Sequence, residues 1–239
     1  MMADSLRALL ANLIDYAGLY PPASLPLDCV IANYSRYLTS PDAWILNRLV
    51  LPFDKLRAVT LAEDWRITLL VNEEPGPLPK QVECLEAKSG KRLSLPTYCE
   101  APLAQLENGY AKIRTAASSE EALADFLLAA ASRRVPFKAT AGLHHALASP
   151  VRPDRHGFLN VFVASTLTWT TGIGRDAMIQ LLTESNPAAF EFTDEAVRWR
   201  DCHATVEQIR QARREFAHSF GSCSFEEPVS DLRELGLLP

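Results

Sequence analysis

The chain has 239 residues, of which 48% are hydrophobic and 22% charged. That is the composition of a folded globular protein, and a chain of this length buries about 70–75% of its unfolded surface without needing disulfides or a structural metal. A formal charge of −5 supplies no basic field, which speaks against a general nucleic-acid binder.

The residues before Leu13 are expected to form a short N-terminal helical extension. From there a rhythm recurs: a short apolar run, turn residues, then an amphipathic stretch. Two starts fit it. Either Leu13–Gly18 is the first strand, or the series begins at Arg48–Pro52 (RLVLP) and the weak run Val82–Glu86 (VECLE) joins it. Asp28–Leu38 has a helical pattern. Arg66–Asn72 (RITLLVN), Leu93–Pro102 (LSLPTYCEAP), Tyr110–Thr115 (YAKIRT) and Pro136–Gly142 (PFKATAG) are short and mostly continuous in their apolar part, as strands buried on both faces are. Either start makes YAKIRT the fifth strand and PFKATAG the sixth. Between those two, Ser118 and Glu121 form a capping box that opens a helix running to about Arg134. Phe158–Trp169 has a helical or a strand reading, Arg175–Glu184 a helical one, and Ala189–Thr193 (AFEFT) is a strand candidate. Thr205 and Gln208 make a second capping box, and Phe220–Phe225 (FGSCSF) is the last strand.

Strand and helix alternating along one chain imply a parallel sheet with helices outside it. About eight strands in a chain near the ~250 residues of a (β/α)8 barrel favour one TIM-type barrel domain over residues 1–239, with a doubly wound sheet second. No GxGxxG follows a candidate strand and no GxxxxGK[ST] occurs, so the usual phosphate fingerprints of open nucleotide-binding sheets are missing.

The five cysteines, Cys29, Cys84, Cys99, Cys202 and Cys223, are odd in number and widely spaced, with no CxxC pair. They are expected to be reduced and mostly buried, in a cytoplasmic protein. The start has no signal-peptide pattern and no apolar run approaches the ~20 residues of a membrane span, so no membrane partner is expected.

In a barrel the chemistry sits at the C-terminal ends of the strands. Lys112 and Lys138 each lie inside an apolar run, and lysine is almost never fully buried without a partner. Arg114 shares the Lys112 side of its strand by period two. Glu100 ends its run and faces the same mouth, as an ion-pair partner or an acid or base. His144 and His145 follow PFKATAG directly. A long loop with Pro150, Arg152, Pro153 and Arg155 then leads to His156, so three of the five histidines cluster there. They suit acid–base work, anion binding or metal ligation. Ser222 and Ser224 flank Cys223 after the last strand, where barrels commonly hold phosphate, or they cap the next helix. Asp15, in the compact turn DYAGLYPP, points into the mouth or caps a backbone.

The segments LIDYAGLYPP, AKIRTA, PFKATAGLHH, HGFLNVF and FGSCSFEEP resemble a family of uncharacterised bacterial barrel-like proteins, which implies a fold and no activity. More locally, PFKATAG resembles the lysine strand of deoxyribose-phosphate aldolases, where a Lys-Thr-Ser-Thr-Gly run ends strand six and its lysine forms a Schiff base. The resemblance puts Lys138 in the lysine position, with Thr140 and Gly142 also matching. YAKIRT resembles the preceding strand. Two departures stand: Ala141 replaces a threonine, and the aldolases' second lysine lies on strand seven, where AFEFT has none.

The expected function is therefore a Schiff-base aldolase or related carbon–carbon lyase acting on a small, anionic carbonyl compound, with no cofactor. Burial and the neighbouring Lys112 would leave Lys138 a neutral amine near pH 7, and Glu100 or His145 would move protons. Asp15, Arg114, Thr140, His144, His156, Ser222 and Ser224 are the expected substrate-binding residues. The alternatives are a metal-assisted isomerase, epimerase or hydrolase using Glu100, His144 or His145, and His156 as ligands, and a non-catalytic barrel that binds an anion or sugar. Homo-oligomerisation stays open.

Overall fold

The structure, a computed structural model, describes residues 2–152 and 155–239, so Pro153 of the histidine loop lies outside the described residues. In chain order the elements are α1 (Asp4–Leu10), β1 (Ile14–Tyr16), α2 (Leu27–Leu38), β2 (Leu46–Pro52), the one-turn α3 (Phe53–Leu56), β3 (Ile67–Val71), β4 (Val82–Ala87), β5 (Thr97–Cys99) and β6 (Tyr110–Arg114). Then come α4 (Glu120–Ser132), β7 (Phe137–Thr140), α5 (Phe158–Thr171), α6 (Arg175–Leu182), β8 (Phe190–Phe192), β9 (Ala196–Trp199), β10 (Cys202–Thr205), α7 (Val206–Glu215), β11 (Ala217–Ser222) and α8 (Glu226–Glu234).

Eight strands close a parallel barrel in the order β1-β2-β3-β4-β5-β6-β7-β11, with β11 returning to β1. The fold is thus the expected TIM-type barrel, with α1 as its N-terminal extension. Both candidate starts belong to it, since Leu13–Gly18 supplies β1 and Val82–Glu86 supplies β4. AFEFT does not. It becomes β8 of a separate antiparallel sheet, β10-β9-β8, inserted between α6 and α7. The physical reason lies in its neighbours: Val197 and Trp199 pair across β8 as a meander closed by short turns, which antiparallel strands permit and parallel ones do not. Because both N-terminal candidates are barrel strands, YAKIR is the sixth and FKAT the seventh, one later than expected.

The helices are unevenly placed. Among the described residues none follows β3 or β4; loops carrying Trp65, Leu78, Leu93 and Leu95 cover that side. The thick side is built around α5, whose residues Phe158 to Thr168 are all buried. A run with that many hydroxyls survives inside a core because each hydroxyl bonds the carbonyl four residues back, as Ser165 does to Val161 and Thr166 to Phe162. Gly157 starts α5 and left-handed Gly172 (φ 68°) ends it. The helix after β6 is capped by Ser119, one residue later than expected, its hydroxyl accepting from the Ala122 N–H. Thr205 and Gln208 form the expected reciprocal capping box on α7. No helix among the described residues is long and apolar enough to cross a membrane.

Candidate active site at the barrel mouth

Side chains alternate in and out along barrel strands. On β6 and β7 the even-numbered residues face inward, which puts Lys112, Arg114, Lys138 and Thr140 around one cavity at the C-terminal strand ends. Lys112 and Lys138 are register partners across β6 and β7.

The two lysines hold one charged network. Lys138 is fully buried, and its Nζ lies 2.5 Å from Asp15 Oδ2. It also pairs with Glu86 Oε1. The other Glu86 oxygen takes Lys112 Nζ at 2.8 Å, so Glu86 bridges the two lysines. Lys112 reaches on to Glu100 Oε2 at 3.1 Å. Asp15 is further saturated: Oδ1 accepts from Asn47 Nδ2 (2.6 Å) and the Arg48 backbone N–H (3.1 Å), and Oδ2 accepts from Ser219 Oγ (2.9 Å). Burial alone would push both carboxyls up; Lys138, joined by Arg48 at Asp15 and by Lys112 at Glu86, overcomes it and holds Asp15 and Glu86 below the usual carboxylate range. Burial alone would likewise push Lys138 down, but Asp15 and Glu86 overcome it and hold the ammonium above its ordinary value. The expectation of a neutral Lys138 amine is therefore reversed. Lysine counts as desolvated only until its partners are found, and here two carboxylates meet it.

Above the network lies a cavity of about 210 Å3, lined by Tyr20, Lys112, Arg114, Thr140, His144 and Cys223 among others. It shares Tyr20, Lys112 and Arg114 with a wider groove of about 800 Å3 that runs to Glu100 and the 72–76 loop. Arg114 is exposed there, with no ion pair among the described residues. The Tyr20 hydroxyl is buried without a hydrogen-bond partner among the described residues, at the edge of both spaces. Burial and nearby Glu86 raise its pKa, so it stays a protonated donor. Cys223 Sγ lies 3.9 Å from His144 Nδ1. Burial would raise this thiol, but the His144 contact overcomes it and sets Cys223 below its ordinary value.

Gly142 closes the top of β7 with φ 94°. A Cβ there would lie 2.7 Å from the Ala116 backbone nitrogen, so only glycine lets the β6 and β7 exits approach. Ala141, also left-handed at φ 54°, offers its carbonyl to Thr115 Oγ1 and the Ala116 N–H.

The remaining predicted residues spread out. His145 turns to Asp231 on α8, with Nδ1 3.0 Å from Oδ2, and does not line the cavity. His156 is buried, its Nε2 2.9 Å from the Ser118 carbonyl. His144 alone of the three lines the mouth. The expected metal set of Glu100 and these histidines is therefore not assembled, and no three His, Cys, Asp or Glu side chains among the described residues are gathered around one point. Ser222 Oγ accepts from the Ser224 N–H, and Ser224 Oγ from the Glu227 N–H, so both hydroxyls are used in the turn that opens α8. Thr140 Oγ1 donates to the Ile113 carbonyl.

Sequence reasoning missed Glu86, Tyr20, Asn47 and Ser219. For Glu86 the signal was present: it sits in the apolar run VECLE just as the lysines sit in theirs.

Fold and network define a parallel α/β barrel whose strand C-termini carry a buried lysine–carboxylate cluster under an open cavity. No protein-family model, curated protein or solved structure matches the chain.

Proposed function

We propose that the chain is a Schiff-base aldolase or related carbon–carbon lyase acting on a small anionic carbonyl compound, with Lys112 as the reacting amine. The observation that carries this is the placement of two register-paired lysines on the sixth and seventh barrel strands, only one of which, Lys112, borders both mouth spaces. The aldolase resemblance implies an amine on strand six and a second lysine on strand seven. The motif match puts that amine at Lys138, but Lys138 is fully buried and paired with Asp15 and Glu86, so the proposal moves the role to Lys112 and the departure at AFEFT stands.

In the chemistry proposed, Glu100 takes a proton from Lys112 and the freed amine attacks the carbonyl carbon. The carbinolamine hydroxyl leaves as water with the proton returned by Glu100, while the Tyr20 hydroxyl donates a hydrogen bond to it. The resulting iminium keeps the positive charge of the ammonium it replaces, so Glu86 and Glu100 stabilise it without rearranging. A base then removes the β-hydroxyl proton, the carbon–carbon bond breaks, and its electron pair moves into the iminium. The resulting enamine takes a proton at carbon from that same group, now an acid, and hydrolysis of the iminium so formed releases the second carbonyl compound and regenerates Lys112. Lys138 stays an ammonium that fixes Asp15 and Glu86, and Arg114 holds the substrate's anionic group.

The test is reductive trapping. Incubation with small aldehydes and 2-oxo acids plus borohydride, followed by peptide mapping, is expected to label Lys112, with the label lost in Lys112→Met. A label on Lys138, or none in protein that turns substrate over, would refute the assignment.

A further inference from the structure

The end of the barrel opposite the mouth carries a second polar cavity, of about 520 Å3. Its lining comes from the residues that begin strands or just precede them: Asn12 before β1, Arg48 in β2, Arg66 before β3, and Tyr110 at the start of β6. The last turns of α7 add Arg210, Arg213 and Arg214. Five arginines thus surround one opening in a chain whose net charge is −5.

Acidic partners do not balance them. Glu83 is the single carboxylate of the lining, shared by Arg48 at 2.7 Å and Arg66 at 2.9 Å. Arg210 and Arg214 share Glu207, an exposed residue outside the lining, at 3.8 and 3.3 Å. Arg213 has no carboxylate among the described residues. Its terminal nitrogens donate to four backbone carbonyls, those of Ala217, His218, Ala11 and Asn12, and its buried Nε has no partner among the described residues. Five guanidinium groups against two carboxylates leave a surplus of three positive charges. The backbone bonds of Arg213 explain why it ties the α7–β11 turn to the α1–β1 turn. They do not explain why four more arginines gather at the same opening. A partly desolvated cation without a counter-charge is costly, and burial lowers Arg213 to about 10, the direction a bound anion would reverse. His218 in the same wall is set to about 4, by burial and by Arg213, so it is a neutral ring that adds no charge of its own.

We propose that this N-terminal cavity is an anion site that takes a small phosphorylated compound, a phosphate ester or diphosphate. Guanidinium forks match phosphate oxygens bidentately, the surplus of three charges suits a ligand of two to three negative charges, and the volume lies within the roughly 300–1,000 Å3 of small-molecule pockets. The site lies at the face of the barrel away from the strand C-termini, and so stands independently of the chemistry proposed for the mouth.

The test is calorimetric titration of the full chain with inorganic phosphate, pyrophosphate and citrate, the last a trianion without phosphorus. Pyrophosphate is expected to bind saturably at one site and to weaken as salt is raised. The double variant Arg210→Gln/Arg214→Gln changes two exposed side chains of α7 and is expected to weaken pyrophosphate by about tenfold or more. Arg114→Gln at the mouth is expected to leave that affinity unchanged. Arg66→Lys keeps the charge but loses the fork, and is expected to weaken binding by a smaller factor. Absence of saturable pyrophosphate binding, citrate binding as tight as pyrophosphate, an unchanged affinity in both α7 and Arg66 variants, or a loss in Arg114→Gln instead would each overturn the proposal.

Discussion

Replacing Lys138 by Met removes the central cation of the mouth network while keeping its unbranched stem, so the packing change is small and the electrostatic change dominates. In the native network Asp15, Glu86 and Glu100 face Lys112 and Lys138. After the substitution three carboxylates face one lysine, and Asp15, fully buried, keeps only Asn47, the Arg48 N–H and Ser219. Removing one member of a buried ion pair costs about 3–5 kcal/mol because the partner stays buried and unpaired. For a chain of this size that is a fall in Tm of about 6–20 °C, at ~2–4 °C per kcal/mol. Urea unfolding with an unchanged slope measures it directly. The pH dependence carries the sharper test. In the native protein Asp15 and Glu86 sit below their unfolded pKa values, so they contribute stability that is complete above those values and is lost as pH falls through the folded ones. Without Lys138 the largest offset to the burial cost is gone, with Arg48 and Ser219 left to oppose it, so the folded Asp15 carboxyl rises and its protonation costs the fold less. The deficit of Lys138→Met should therefore shrink between about pH 8 and about pH 4. A deficit under about 1 kcal/mol at neutral pH, or one that does not shrink on acidification, would refute the description of Lys138 as a charge clamp.

Three further outcomes follow from single contacts. Gly142→Ala should destabilise by about 1–3 kcal/mol, since the left-handed backbone and the Ala116 contact both oppose a Cβ; chemical denaturation checks it, and a neutral result would mean the β6 and β7 exits can separate. Thr205→Ala removes the acceptor for the Gln208 N–H and half of the α7 capping box, a loss of about 1 kcal/mol in the same assay. His144→Ala should slow alkylation of Cys223 by a small thiol reagent, read by mass spectrometry in a Cys29→Ser background, because the His144 contact, ahead of the Ala23 backbone hydrogen bond, is the main influence lowering that thiol. Unchanged labelling would show the Sγ–Nδ1 contact to be inconsequential.

The lysines were legible in the sequence for a physical reason. A lysine inside a short apolar run has no solvated face to occupy, so it must find a partner, and period two sends Lys112 and Arg114 to the same side. What the runs could not show was the partner itself: Asp15 and Glu86 lie far from Lys138 in sequence and meet it only because the barrel closes. The same closure decides the sign of the Lys138 shift, which burial alone would have reversed. The strand count slipped because Leu13–Gly18 and Val82–Glu86, read as alternatives, are both barrel strands, and AFEFT was misplaced because a three-residue strand reads alike whether it pairs in a parallel barrel or in a meander. The histidines misled for a related reason. Proximity in a loop says nothing about direction, and His145 and His156 are each drawn to a hydrogen-bond partner on the outer layer, Asp231 and the Ser118 carbonyl.

The inside of this barrel is not the aliphatic stack that commonly fills the fold. Below Lys112, Glu86 and Glu100 come Lys138 and Asp15, and the Lys138 Nζ lies 5.9 Å from the centre of the Tyr98 ring. The Tyr98 hydroxyl is 2.8 Å from His218 Nδ1, and His218 Nε2 is 3.0 Å from the Arg214 carbonyl at the opposite end. Arg48, Cys84 and Thr68 complete the polar interior. Such a centre contributes little transfer free energy, so stability has to come from the layer between strands and helices, where Phe137, Phe162, Phe216 and Phe220 pack their rings against one another. The outer layer carries the fold and leaves the axis free for charge. Both ends of this polar axis open into cavities: one with a carboxylate-flanked lysine and a tyrosine hydroxyl that has no partner among the described residues, the other with a surplus of arginine.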